Sequence, residues 1–391
     1  MHSPPTSEVQ RHFHKAVLER LRDGGAWNGS FSAREITFQQ LSPYIGKLKS
    51  GMVHSLVQQF TNPGDVVCDP FCGSGVVPVE AVLLRRRAVA NDLNRYAATL
   101  TLGKLCAPVS LTLALERAET LLRYVEKRAK DADLRKVPAW VRQFFHPRTL
   151  KEIVAAQMWC SRNQDAFLSA CICGILHHQR PGFLSFPASH TVPYLRTNLF
   201  PQAEHPDLYE YRDLRSRLVA KIARAYKRAP RSDIWKQREY TVLHRDARSL
   251  GLPDASVDAI LTSPPYYGAL DYARDNRLRL WFLGIDDYRS LEGRLTREGP
   301  QYEATMKKCL KEMYRILKPQ SHCILVVGEV QRNGKTKDTG AVLGRLALEV
   351  TNGGFRVDCV VEDEIPDVRR SRRWLSCTRV EKILILHKTS R

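Results

Sequence analysis

The segment that most constrains this chain is Asp69-Pro70-Phe71-Cys72-Gly73-Ser74-Gly75. It follows a short β-branched run, Asp65–Asp69, bounded by Pro63-Gly64, and it precedes an apolar stretch from Val77 to Arg86 of helical character. Strand, glycine turn, helix is the unit that opens a parallel α/β sheet, because the helix must cross back over the sheet before the next strand. Glycines at such a turn let a ligand approach the backbone, and the helix start supplies free N–H groups. The turn lacks the third glycine of a dinucleotide fingerprint and the Gly-Lys-Ser/Thr of a phosphate loop, so a nucleoside without a pyrophosphate fits it better. Asp92 closes the next strand, Ala88–Leu93, about 20 residues on, where a carboxylate can accept both hydroxyls of a ribose. An ordinary strand-end aspartate is the alternative reading.

Further strand-like runs appear at Tyr240–Leu243, Asp258–Thr262, His322–Val330, Phe355–Val361 and Arg379–His387. Helices are expected at Tyr302–Leu317, closed by Pro319, and at Ala341–Thr351, ended by Gly353-Gly354. The alternation predicts a mostly parallel, doubly wound sheet. Residues 1–40 read as a polar extension with a helix over Ser7–Arg22. The stretch from about 110 to 238 breaks the rhythm with helices at Leu111–Lys130, Leu150–Trp159 and Arg212–Lys227, a buried apolar helix over Cys160–Ile175, and an irregular Pro-rich run from Pro181 to Pro206.

Charge sharpens the picture. The chain has 391 residues with 61 Lys+Arg against 41 Asp+Glu, a formal net of +20. Residues 134–240 hold 18 basic and 8 acidic side chains, net +10, and Pro366–Arg391 hold eight and two, net +6. A polyanion is the expected partner, since clustered Lys and Arg gain affinity by releasing phosphate counterions. Along Arg212–Arg228 the apolar Leu214, Leu218 and Ile222 share one face, and Arg215, Arg217, Lys221, Arg224, Lys227 and Arg228 spread over the rest, which suits either a phosphate-facing surface or a solvated helix face. In the tail, Arg369, Arg370, Arg372 and Arg373 run up to Trp374 between the last two strands, a pattern suited to phosphate contacts. Arg274 and Arg277, with Arg279, lie on an expected helix Asp271–Leu283 that lines the same cleft.

Directly after the strand Asp258–Leu261 stands Thr262-Ser263-Pro264-Pro265-Tyr266-Tyr267. A Ser-Pro-Pro-Tyr match arises by chance in a chain of this length only about a few times per thousand. Two prolines fix φ and remove two N–H donors, leaving rigid carbonyls that can accept from an exocyclic amine while the ring stacks on its base.

Taken together, Asp69–Gly75 and Ser263–Tyr266 resemble the amino-methylating, S-adenosylmethionine-dependent DNA methyltransferases, and the Ser-Pro-Pro-Tyr form is similar to the N4-cytosine branch. The N6-adenine branch more often has Asp where this chain has Ser263. The resemblance covers about 41–110 and 240–391. It implies an α/β, Rossmann-like class I methyltransferase fold with an antiparallel last strand and a mainly helical insertion: an extension 1–40, a catalytic domain 41–133 and 241–391, and an inserted target-recognition region 134–240. It implies that Ser263, Pro264, Pro265 and Tyr266 act in catalysis. It further implies that Tyr44, Gly46, Lys47, Asp69, Pro70, Phe71, Gly73, Ser74, Gly75, Asp92, Leu93, Asp246 and Ala247 hold the cofactor. DNA is the implied partner, with a cognate restriction endonuclease as a candidate one.

Other chemistries fare worse on the same residues. Carbon-5 cytosine methylation needs a nucleophilic Cys, in that family following Pro, and no cysteine here follows a proline. A zinc deaminase needs His-x-Glu and Pro-Cys-x-x-Cys, and neither occurs. Cys171, Cys173, His177 and His178 match no standard zinc spacing, so no metal is expected. With strand-length apolar runs and no signal-like opening, the expectation is a reduced, cytoplasmic, membrane-free protein. Rival readings are N6-adenine methylation, RNA amino methylation, and a non-catalytic DNA-binding regulator on the same fold.

Overall fold

The computed structural model describes residues 35–190, 192–265, 272–291, 300–328, 330–332, 335–364 and 380–389. The strands are β1 (Val66–Asp69), β2 (Arg87–Asn91), β3 (Tyr240–Leu243), β4 (Val257–Thr262), β5 (Leu317–Gly328), β6 (Val330–Arg332), β7 (Lys335–Lys337), β8 (Phe355–Glu364) and β9 (Val380–Lys388). Seven of them form one sheet in the order β3-β2-β1-β4-β5-β9-β8, and β6 pairs with β7 apart from it. The five strands from β3 to β5 are parallel, while β9 runs antiparallel to both β5 and β8. The expected doubly wound sheet with an antiparallel last strand is therefore the fold.

The main helices are α1 (Ser50–Phe60), α2 (Val76–Leu83), α3 (Arg95–Leu105), α4 (Leu111–Arg128), α5 (Pro147–Asn163), α6 (Ala166–Cys173), α7 (Leu214–Ala225), α8 (Arg277–Phe282), α9 (Pro300–Ile316) and α10 (Thr339–Val350). Side chains along the strands divide between two cores, as a period of two requires. Leu261, Ile324, Val326, Ile383 and Ile385 join the core beneath α1 to α7, whereas Ile260, Cys323, Leu325, Leu384 and Leu386 join the one beneath α9 and α10. The chain changes sides of the sheet between β1 and β4. That reversal leaves a crevice at the carboxyl ends of these two strands.

The helices between β2 and β3 share the first core with the sheet. Close packing makes this possible: a Cβ on Gly103 would lie 2.5 Å from the Ala166 carbonyl and 2.7 Å from the Ala170 Cβ, so α3 and α6 meet backbone to backbone. The helix expected across Cys160–Ile175 is broken. Gln164 takes a left-handed φ of 50° after α5, and the Asp165 carboxylate caps α6 by accepting from the Leu168 N–H at 2.9 Å. The helix expected over Tyr302–Leu317 runs Pro300–Ile316, and Pro319 follows three residues on, inside β5, where pairing with β4 is interrupted between Leu317 and His322, the position in a sheet that tolerates a residue without an N–H. The expected helix Asp271–Leu283 is two pieces, Tyr272–Asp275 and α8, parted at Asn276. The expected N-terminal helix and the tail Arg369–Trp374 lie outside the described residues.

Candidate active site

Asp69 is the last residue of β1, and its carboxylate is buried at 2% exposure. Thr262, the last residue of the neighbouring β4, donates its hydroxyl to Asp69 Oδ1 at 2.5 Å and accepts the Phe71 N–H at 3.2 Å. One threonine thus fastens the strand that carries Ser263 to the glycine turn. Burial pushes the Asp69 carboxyl up to about 7, although the Thr262 and Phe71 bonds pull it the other way.

The turn itself is held from several sides. Asp92 Oδ2 accepts the Gly73 N–H at 2.9 Å and its Oδ1 accepts the Asn94 N–H at 2.8 Å. Asn91 donates to the Pro70 carbonyl at 3.0 Å and to the Arg245 carbonyl at 3.1 Å, tying the turn to the chain beyond β3. Thr101 on α3 donates to the Gly73 carbonyl at 3.3 Å. One turn further along that helix, the fully buried Lys104 donates to the Ser74 carbonyl and to Gln39 Oε1 at 3.2 Å. Burial holds the Lys104 ammonium well below its ordinary pKa. Two glycines in the turn need their lack of a side chain. Gly73 has φ +47° and lies against the Tyr44 ring, 3.1 Å from where a Cβ would sit. Gly75 has φ +77° and caps α2, with a Cβ site only 2.6 Å from Thr101 Oγ1.

These elements enclose one cavity at the carboxyl ends of β1 and β4. Of the residues expected from sequence, Tyr44, Gly46, Asp69, Phe71, Gly73, Ser74, Asp92, Leu93, Asp246, Ala247, Ser263 and Pro265 line it. Burial pushes the Asp92 carboxyl up to about 6 against the two backbone bonds it accepts. Tyr44 stands between Tyr96 and Tyr272, stacked at centroid distances of 6.0 and 6.2 Å. Tyr302 on α9 donates its hydroxyl to the Pro265 carbonyl at 3.1 Å, fixing the end of the described Ser263–Pro265 segment.

Other expected residues are placed elsewhere. Pro70, Gly75 and Pro264 are not among the residues that line the cavity. The Lys47 ammonium turns to Glu35 at 2.8 Å and the Gln39 carbonyl at 2.9 Å. Arg277 and Arg279 do not line the cleft. Arg277 lies between Tyr194 and Trp140, and Arg279 is 1% exposed, bonded to the Asn276 side chain at 3.2 Å. Asp246 forms a close ion pair with Arg248 at the rim. Tyr266, Arg369, Arg370, Arg372 and Arg373 lie outside the described residues. The cavity also uses Tyr272, Tyr302, Thr305 and Met306, which sequence reasoning missed. Met306 and the buried face of α9 were visible only as helical periodicity. Thr101 and Lys104, three apart on α3, face the turn together, a spacing that a helix reading of 95–105 would have exposed.

Cys72 is buried beside Thr101, 3.3 Å from its hydroxyl, and burial pushes its thiol up, away from nucleophilic reactivity. Among the described residues no group of three or more His, Cys, Asp or Glu side chains gathers in a metal-binding arrangement, and none of their helices is long and apolar enough to cross a membrane.

The sequence profile of the DNA methylase family (N6_N4_Mtase) matches residues 42–102, the segment from the start of the cavity wall to the middle of α3. A stretch of 129 residues is 28% identical to Type II methyltransferase M.SfiI of Streptomyces fimbriatus, covering 32% of this chain and 26% of that protein. The chain therefore spans about a quarter of the length of this relative. Among solved structures, TrmN from Thermus thermophilus aligns with 12% identity and a TM-score of 0.34, over 90% of this chain and 52% of that one. A SAM-dependent methyltransferase from Methanosarcina mazei aligns with 12% identity and a TM-score of 0.35, over 86% of this chain and 98% of that one.

Proposed function

We propose, starting from a chain whose residues 42–102 match the profile of the N6/N4 DNA methylase family, that it transfers a methyl group from S-adenosylmethionine to the exocyclic N4 amine of cytosine in DNA. The observation that carries this reading is the Thr262 bridge, which fastens the glycine turn and the Ser263 segment into one cavity wall. The cavity suits the cofactor in the chemistry of its walls. Asp92 supplies a buried carboxylate where a ribose diol would be met, Leu93, Ala247 and Met306 supply an apolar slot for a purine beside Asp246, and Tyr44 and Tyr272 supply aromatic surface. The chemistry drawn from the bound cofactor is a methyl group made electrophilic by a sulfonium sulfur.

The chain supplies position. The target amine is a weak nucleophile because its lone pair is delocalised into the ring. The Ser263 side chain and the Pro264 carbonyl would accept its two N–H groups, favour a pyramidal nitrogen and orient its lone pair. The methyl–sulfur bond would break as the nitrogen–carbon bond forms, leaving a neutral thioether, and the surplus amine proton would pass to water. Tyr302, by holding the Pro265 carbonyl, keeps that segment from rotating. Tyr266, next in sequence, stacks on the flipped base. Serine rather than aspartate at 263 favours the cytosine branch and fits a step that needs no strong general base. The helices between β2 and β3, around the basic stretch 134–240, serve as the target-recognition region, and a restriction endonuclease of the same specificity is the natural partner.

The test is incubation of the protein with labelled S-adenosylmethionine and duplex DNA, digestion to nucleosides, and identification of the modified base by mass spectrometry. N4-methylcytosine is expected. Label in N6-methyladenine overturns the base, label only in RNA overturns the substrate, and DNA binding without transfer favours a non-catalytic regulator. Tyr266→Ala should lower transfer by about two orders of magnitude while leaving cofactor affinity near wild type; unchanged turnover would remove the stacking role.

A further inference from the structure

Beside the cavity, outside its lining, runs an alternation of guanidinium groups and aromatic rings. Tyr272 belongs to the cavity wall, and two residues later Arg274 leaves toward the outside, its guanidinium 5.7 Å above the Tyr194 ring. Arg277 lies 4.8 Å above the same ring and 5.9 Å above Trp140. Trp140 meets Tyr288 edge to face at 6.4 Å, and Arg289 lies 5.9 Å above Tyr288. The order is therefore Arg274, Tyr194, Arg277, Trp140, Tyr288, Arg289, drawn from three separate parts of the chain. Arg277 anchors its middle by donating to the Pro193 carbonyl.

The exposure of this ladder separates it from a packing cluster. Tyr194 is 43% exposed, Arg274 and Arg289 are exposed, and Trp140 and Tyr288 are half-buried over a groove with Pro193 and Leu195. A cation–π cluster built for stability would bury its rings, since a desolvated pair is worth more than a wet one. Two carboxylates, Asp286 and Asp287, stand at the rim. Asp287 is committed to its own turn, accepting the Arg289 N–H at 3.1 Å. Alternating rings and cations match one ligand chemistry well: a nucleic-acid strand whose bases stack on the rings while its phosphates meet the guanidiniums.

We infer that the Arg274–Arg289 ladder is the surface that takes the DNA strand adjacent to the target base, with Tyr194 stacking on an unpaired neighbouring base and Arg274 and Arg289 meeting its phosphates. The inference rests on the DNA methyltransferase reading above. It assigns the recognition contact to Trp140, Tyr194 and the segment 274–289, and so to both sides of the catalytic segment in sequence. Flipping a base unstacks its neighbours, and an exposed ring under Arg274, two residues from the cavity wall at Tyr272, would take the place of the lost stack.

The experiment uses the full chain and a fluorescein-labelled duplex with a mismatched cytosine, titrated at several salt concentrations, with S-adenosylmethionine affinity measured by calorimetry on the same preparations. Arg274→Gln/Arg289→Gln should weaken DNA binding about tenfold and flatten the plot of log affinity against log salt by about two. Tyr194→Ala should weaken binding of the mismatched duplex about tenfold, and Tyr194→Phe, which keeps the ring, should restore it. Cofactor affinity near wild type certifies each variant as folded. DNA affinity and salt slope within twofold of wild type for both the double variant and Tyr194→Ala overturn the ladder while leaving the methyltransferase reading intact, provided wild type methylates the duplex. A wild-type protein that neither binds nor methylates duplex DNA overturns that reading, and this inference with it.

Discussion

Two arginine-rich parts of this molecule look alike in sequence and do opposite things in the fold. Around α7, Arg212 is buried and donates to the carbonyls of Phe183, Ser185 and Leu208. Arg215 bridges Glu119 at 2.6 Å and Glu126 at 2.8 Å, Arg217 pairs with Asp213 at 2.9 Å, and Lys221 reaches the Gln40 carbonyl at 3.1 Å. These cations hold the helical layer together. Along 274–289, Arg274, Arg277 and Arg289 lie over rings, Arg274 and Arg289 are exposed, and only Arg279 is buried among carbonyls. Density of charge says how many cations a segment has. Whether they face outward depends on how deeply the fold has buried them.

The contrast can be broken at its strongest point first. Arg212→Ala leaves three loop carbonyls without their shared donor and should cost about 3 kcal/mol of stability, read as a lower denaturant midpoint with little change in slope. A variant as stable as wild type would mean that Arg212 is not structural and that the difference between the two regions has been misread. Arg274→Gln/Arg289→Gln should leave that midpoint unchanged.

A second prediction concerns pH and the cavity. Burial raises the Asp92 carboxyl from its ordinary 3.8 to about 6. Its raised pKa means that the stability it contributes is fully present below about 3.8 and is lost as pH rises through about 6. On the proposed reading the ionised form is the one that accepts ribose hydroxyls, so affinity for S-adenosylmethionine should rise from about pH 5 to about pH 7 and then level, with a midpoint near the Asp92 value. Calorimetry across that range checks it, and Asp92→Asn should flatten the profile while weakening binding about tenfold.

The smallest effect is the sharpest discriminator. Arg215→Gln removes a two-carboxylate bridge on the surface, and such bridges contribute little. Both its unfolding midpoint and its DNA affinity should stay within error of wild type. A clear drop in DNA affinity would place α7 on the DNA and move the recognition surface away from the ladder.

The legible part of this protein was the part made by local rules. Proline and glycine punctuation and apolar alternation located β1, β2, β4 and β9 to within a residue or two, and the two turns that end β1 and β4 stood out because their residue types have few other uses. The break at Gln164 was illegible because a left-handed residue followed by a capping aspartate competes with a strong apolar run, and only packing against α3 decides between them. Pro319 marked the end of the helix well but hid the start of β5, because a proline beyond a helix gives no sign that the strand has already begun at Leu317. Tyr194, Trp140 and Tyr288 carried no joint signal, since 54 and 94 residues separate them along the chain and only the third dimension stacks them.

The ammonium of Lys104 under the Ser74 carbonyl has a consequence for time as well as for shape. Removing that cation from water is costly, and the cost is met once, when the chain folds. A turn fixed in this way has its conformational entropy already spent before any ligand arrives, so capture need not wait for the loop to organise and little affinity is lost to ordering it. The dwell time of a ligand on such a rigid cradle is then set by the contacts it makes. The pace of entry is left to diffusion and to the electrostatic field of the chain.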